Sequence, residues 1–140
     1  MNHEEVARRS AQTVWDGDLA SRALGMRLGD VSPGLATVQM RVRDDMVNGH
    51  GICHGGLIAT LADSAFAIAC NTYDDVTVAA GFDVTFVAPA KPGDELTATA
   101  AERVRQGRSG LYDVTVRTAD GSVIAEFRGR SRALGRRILP

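Results

Sequence analysis

At 140 residues, 44% of them hydrophobic, the chain suits one domain spanning residues 1–140 and is too short for two ordinary ones. A formal net charge of −1 and a pI near 6.3 exclude a generally nucleic-acid-binding surface, so any cationic site must be local. Two cysteines, Cys53 and Cys70, and a charged N-terminus without a secretory pattern fit a cytoplasmic protein with reduced thiols.

Residues 1–24 carry Val6, Val14, Trp15, Leu19 and Leu24 among charges, which predicts an amphipathic helix or helix pair broken near Gly17. Met26 to Val31 and Leu35 to Arg43 flank the turn signal Ser32-Pro33-Gly34 and read as a hairpin with one wet face. A loop, Asn48-Gly49-His50-Gly51-Ile52-Cys53-His54-Gly55-Gly56, then feeds a helix predicted over residues 54–71. Its apolar core, Leu57 to Cys70, is 14 residues long and contains Asp63, so it falls short of the roughly 20 residues that cross a bilayer. It reads as a buried core helix. Downstream, Val76–Ala88, Leu96–Arg105, Leu111–Thr118 and Val123–Arg132 read as strands joined by hairpin turns. The fold class is α+β: an antiparallel sheet of five to six strands wrapped around a long central helix, with an N-terminal helical segment. A helix apolar on nearly all sides calls for a second subunit to cover what the sheet leaves bare.

Asp63 carries the functional reading, because an unpaired carboxylate in an apolar helix costs many kcal/mol unless it finds partners, shifts its pKa or serves chemistry. At the helix start, glycines let a ligand touch the backbone, and the Gly55 N–H is the candidate donor to a developing oxyanion. Asp63 lies eight residues on, which at ~1.5 Å rise per residue is roughly 12 Å along the same helix. The two groups can serve one reaction only if they come from two copies of the chain across a two-fold interface. Thr60, Asp63, Ser64 and Ala67 share a helix face and, with Gly56, are candidates for the wall of the site; the bland reading is a carboxylate satisfied by hydroxyls and amides. His50, His54 and Cys53 supply three metal ligands at most and no CxxC partner, which favours no metal. His54 reads equally as a loop-fixing group or a substrate contact, and Asn48 as a carbonyl- or water-orienting amide or a turn residue. Arg128, Arg130 and Arg132 alternate on one strand and would face one side, as a docking stripe for phosphates or as a solvated face.

The run from Asn48 to Gly56, followed by Leu61-Ala62-Asp63-Ser64-Ala65-Phe66-Ala67-Ile68-Ala69-Cys70-Asn71, resembles the hotdog-fold thioesterases of the phenylacetic acid degradation (PaaI) type. Phe82-Asp83-Val84-Thr85-Phe86 with Pro89, and the segments around Tyr112-Asp113-Val114 and Phe127 to Ser131, extend the likeness over about residues 20 to 134. The resemblance implies a homodimer sharing one sheet, commonly paired into a homotetramer, and hydrolysis of acyl-CoA thioesters, with phenylacetyl-CoA or ring-hydroxylated phenylacetyl-CoA as substrates. It makes Asp63 the nucleophile or general base, Gly55 the oxyanion donor, and Asn48 and His54 supporting residues, with no cofactor beyond the coenzyme A of the substrate. Ala79 stands where some relatives carry a catalytic Ser or Thr, with Thr77 nearby. Two other readings are an acyl-CoA-binding module without catalysis and a hotdog enoyl-CoA hydratase. The second rests on the Asp45 to His50 spacing and leaves Asp63 unused.

Overall fold

The computed structural model describes Met1–Pro140 in full. Its elements are α1 (His3–Asp16), α2 (Leu19–Ala23), β1 (Arg27–Ser32), β2 (Leu35–Arg41), α3 (Gly55–Ala69), β3 (Thr77–Phe86), β4 (Glu95–Gln106), β5 (Ser109–Arg117) and β6 (Val123–Ala133). All six strands form one antiparallel sheet in the order β1-β2-β4-β5-β6-β3, with α3 lying across its inner face. This is the hotdog arrangement.

Local chemistry explains the boundaries. The Asn2 side chain caps α1 by accepting from Glu5 N–H at 2.8 Å, and Glu4 and Glu5 complement the positive helix end. The predicted break near Gly17 falls between α1 and α2, where Asp18 caps the shorter helix. Central strands alternate as their sequence does: Ala36, Val38 and Met40 of β2 and Leu96, Ala98 and Ala100 of β4 are buried beneath α3. Small residues there let a helix bearing Leu61, Phe66 and Ile68 approach closely. Phe66 sits on Gly129 and packs against Tyr112 and Phe127, with ring centroids 5.6 and 5.8 Å apart.

Two features depart from simple burial. Leu19, counted among the apolar residues of the N-terminal segment, is 69% exposed, because it opens a five-residue helix whose inward position is taken by Ser21. The outer strand β3 pairs only with β6 and leaves Val78, Phe82 and Phe86 exposed, with Val87 just beyond its end, an apolar edge on an otherwise orderly sheet. No helix is long and apolar enough to cross a membrane.

Candidate active site

The loop before α3 builds its helix end from its own side chains. His54 is the N-cap, and its Nδ1 accepts from Gly56 N–H at 3.0 Å, while its carbonyl accepts from Leu57 and Ile58. The Gly55 N–H, between these, finds no acceptor in the chain and is free to donate at the positive end of the helix dipole. A Cβ on Gly55 would lie 3.0 Å from Phe86 Cζ, so the missing side chain is what lets the aromatic ring lie over the helix start. A Cβ on Gly56 would meet His54 Nδ1 at 3.1 Å, so that glycine makes room for the cap.

Asn48 Oδ1 accepts from the backbone N–H of His50 at 2.9 Å and of Ile52 at 3.4 Å. Two donors aimed at one atom identify it as the oxygen, which leaves the Nδ2 hydrogens unspent. The turn role and the donor role are thus compatible in one side chain. Asn48, Ile52, Cys53, Gly55, Ile58, Phe86, Val87, Ala88 and Pro89 line a cleft of about 430 Å³, mostly apolar, with the two unspent donors in its wall. His54 and Gly56 instead border a second hollow of about 340 Å³ with Asp45, Met46, Val47 and Leu57. The structure therefore divides the loop residues: Asn48 and Gly55 meet in one cleft, and His54 acts through the cap.

On α3, Asp63 is half-buried and takes no hydrogen bond from the chain; burial pushes its carboxyl above the ordinary 3.8, and the charge of Asp18 pushes the same way. The bland reading of a satisfied carboxylate does not describe it. Its companions on the helix face are occupied: the Thr60 hydroxyl donates to Gly56 O at 2.8 Å, and Ser64, only 7% exposed, shares a 2.7 Å hydrogen bond with Ser21. Ser64 thus points into the N-terminal segment. Burial also raises both thiols, Cys70 to about 12, so neither is a thiolate at neutral pH.

Arg128, Arg130 and Arg132 all project from the outer face of β6, but two of them are paired. Arg128 makes a two-pronged bond to Asp113 at 2.7 and 3.0 Å and holds that carboxyl low, and Arg130 reaches Asp83 at 3.1 Å. A phosphate would have to compete with these carboxylates. Asp45 is bound by Arg43 at 2.9 Å, and His50 is exposed with its backbone N–H on Asn48, so the spacing that suggested a hydratase serves loop structure. Ala79 is exposed at a bulge of β3, and the Thr77 hydroxyl donates to Asp75 O. Sequence reasoning missed Phe86, Val87 and Ile52 as cleft walls; the signal available was the apolar run ending in Pro89, read only as a strand.

The sequence pattern of the thioesterase superfamily matches residues 50–125, from within the loop before α3 to the start of β6. The chain belongs to this family, as a hotdog-fold acyl-coenzyme A thioester hydrolase of the PaaI type. Among its relatives, the acyl-coenzyme A thioesterase PaaI of Escherichia coli is 38% identical over 96% of this chain and 95% of its own length. A solved structure of the E. coli PaaI protein from the phenylacetic acid degradation operon superposes with a TM-score of 0.95 at 36% identity, covering 97% of this chain and 99% of that one. Human acyl-coenzyme A thioesterase 13 is 34% identical over 76% of this chain and 79% of its own length.

Proposed function

We propose that the enzyme hydrolyses aryl-acyl-CoA thioesters, with phenylacetyl-CoA or its ring-hydroxylated forms as substrates, in phenylacetate degradation in the cytoplasm. The observation that carries this reading is the free Gly55 N–H in the wall of an apolar cleft roofed by Phe86, a place for a thioester carbonyl beside an aromatic ring. The phenylacetic acid degradation operon of the E. coli relative supports the same acyl class.

In this reading the thioester oxygen accepts from Gly55 N–H, with Asn48 Nδ2 assisting, and negative charge gathers where the helix dipole favours it. Asp63 of a second copy attacks the carbonyl carbon or takes a proton from the water that does. The carbon–sulfur bond then breaks, and the CoA sulfur leaves as the thiolate and takes up a proton; where Asp63 has attacked, water next cleaves the acyl–Asp63 anhydride, and by either route the free carboxylic acid departs. Single-turnover hydrolysis in labelled water separates the two routes, since only attack by Asp63 puts solvent oxygen into its side chain. The apolar edge of β3 supports a second copy there, with two sheets joined into one, and pairs of such dimers would form the tetramer. Arg128 and Arg130 are the proposed phosphate contacts, exchanging Asp113 and Asp83 for the ligand.

The test is release of free CoA from a panel of thioesters, covering phenylacetyl-, hydroxyphenylacetyl-, benzoyl-, and short and long aliphatic acyl-CoA, by wild type and Asp63→Asn. Fastest turnover of the phenylacetyl members, abolished by the substitution, is the expected result. A preference for aliphatic chains would overturn the acyl assignment, and an undiminished Asp63→Asn would overturn the catalytic one.

A further inference from the structure

The N-terminal helices take no part in the chemistry above, yet one of them is joined by hydrogen bonds to the helix that carries Asp63. The Asp18 carboxylate accepts from Ser21 N–H at 3.0 Å and from Ser21 Oγ at 2.6 Å. Ser21 Oγ lies 2.7 Å from Ser64 Oγ in a buried contact that spans 43 positions of sequence. A carboxylate only accepts, so the single Ser21 hydroxyl proton is committed to Asp18, and Ser64 must be the donor in the second bond. The Ser64 proton is thereby withheld from Asp63, its neighbour on α3.

The remaining surroundings offer Asp63 no cation. The inward residues of β2, β4, β6 and β3 bring no charge: Val38, Ala98, Phe127 and Val84 are apolar, and Ser131, buried on β6, is a neutral hydroxyl. On β5, the buried Tyr112 is a neutral phenol pushed upward, and Cys70 at the end of α3 is a neutral thiol. From α1 the buried contacts are Ala7, Ala11, Ser10 and Trp15. Asp18 is the formal charge that bears on Asp63, and it has the same sign.

We propose that Asp18 is a positioning residue for the reacting carboxylate: through Ser21 it turns the Ser64 hydroxyl away from Asp63, and it sets a second negative charge nearby, keeping Asp63 a strong base. A carboxylate deprived of donors and beside a like charge takes a proton more readily, which is what removing a proton from water requires. The N-terminal segment then has a chemical task as well as a packing one. This inference rests on Asp63 being the reacting group.

The experiment compares the pH dependence of kcat/KM for the fastest thioester of the panel, together with thermal melts, in the full chain carrying Asp18→Asn, Asp18→Glu or Asp63→Asn. Asn keeps an amide oxygen to cap α2 and bond Ser21 but removes the charge, and it is expected to move the acid limb to lower pH and lower the plateau several-fold. Glu keeps the charge and spoils the cap, and it is expected to lower the melting temperature while leaving the acid limb near that of wild type. If both variants lose stability and neither moves the acid limb, Asp18 is only a helix cap and the proposal falls while the role of Asp63 stands. If Asp63→Asn turns over like wild type, the assignment of Asp63 fails first and takes this proposal with it.

Discussion

Replacing Gly55 with proline removes one backbone N–H and little else. Gly55 is the first residue of α3 and its N–H has no acceptor in the chain, which is the one helical position where proline is favoured. His54 before it has φ −59° and ψ 128°, the extended geometry that a following proline demands. The difficulty is steric, since the new Cβ would lie 3.0 Å from Phe86 Cζ and 3.2 Å from Cε2. Phe86 is half exposed in the single chain, so the ring has an open side toward which to yield, and the expected change in stability is about 1 kcal/mol or less. Gly55→Ala introduces the same Cβ and keeps the N–H, which makes it the control. Between the two variants the difference is one oxyanion donor, worth about 3–4 kcal/mol of barrier or roughly 100- to 1,000-fold in kcat. The assay is CoA release at saturating substrate, alongside thermal melts of all three proteins. A folded Gly55→Pro turning over within a few-fold of Gly55→Ala would refute the assignment, because the donor would then be some other group.

Three further outcomes follow from the same geometry. Gly129→Ala would place a Cβ 2.8 Å from three ring atoms of Phe66, itself held by Tyr112 and Phe127, and should lower stability in denaturant titration by about 1–3 kcal/mol; an unchanged midpoint would mean the ring yields freely. Because the Asp63 carboxyl is raised above 3.8, its ionised form is penalised in the fold, so the stability Asp63 gives up as pH rises through its folded pKa is recovered as pH falls below its unfolded one. Asp63→Asn should therefore melt higher than wild type at neutral pH, with the gain fading toward about pH 4, and a gain that persists there would refute the cause. Mixing the inactive Asp63→Asn and Gly55→Pro chains, unfolding and refolding them together, should restore about a quarter of wild-type activity, since half the dimers are mixed and each carries one intact site. A site built within one chain would stay dead.

Much of the fold was readable because its signals are local. The two-residue alternation of β2, the turn at Gly34 with φ 72°, and the apolar run from Leu57 to Cys70 each act within a few residues, and each produced its element. What the alternation could not reveal is that Val78 and Phe82 stand on an edge. Strand order depends on which strands close on one another, and the pattern Val76 to Ala88 is the same whether a strand is central or outermost.

The site divides along the same line. Gly55 and Asn48 belong to a single loop, where a helix start must leave N–H groups unpaired, so a free N–H at this end could be read from sequence. The role of His54 as cap was one of two open readings, and the 3.0 Å bond from Gly56 N–H describes the first. Asp63 announced itself by its cost, but whether neighbours repay that cost is a tertiary fact. Spacing put Ser64 on its face and suggested a hydroxyl partner. The structure gives that hydroxyl to Ser21, 43 residues away, and Ser21 gives its own to Asp18. A helix that can seat a carboxylate without a donor from its own chain, when two hydroxyls stand within a turn of it, holds that group ready to bind a proton from elsewhere. Under the proposed roles the same bare carboxylate calls for a second copy: ~12 Å from its own Gly55, it would meet a bound carbonyl only with another helix lying antiparallel beside it.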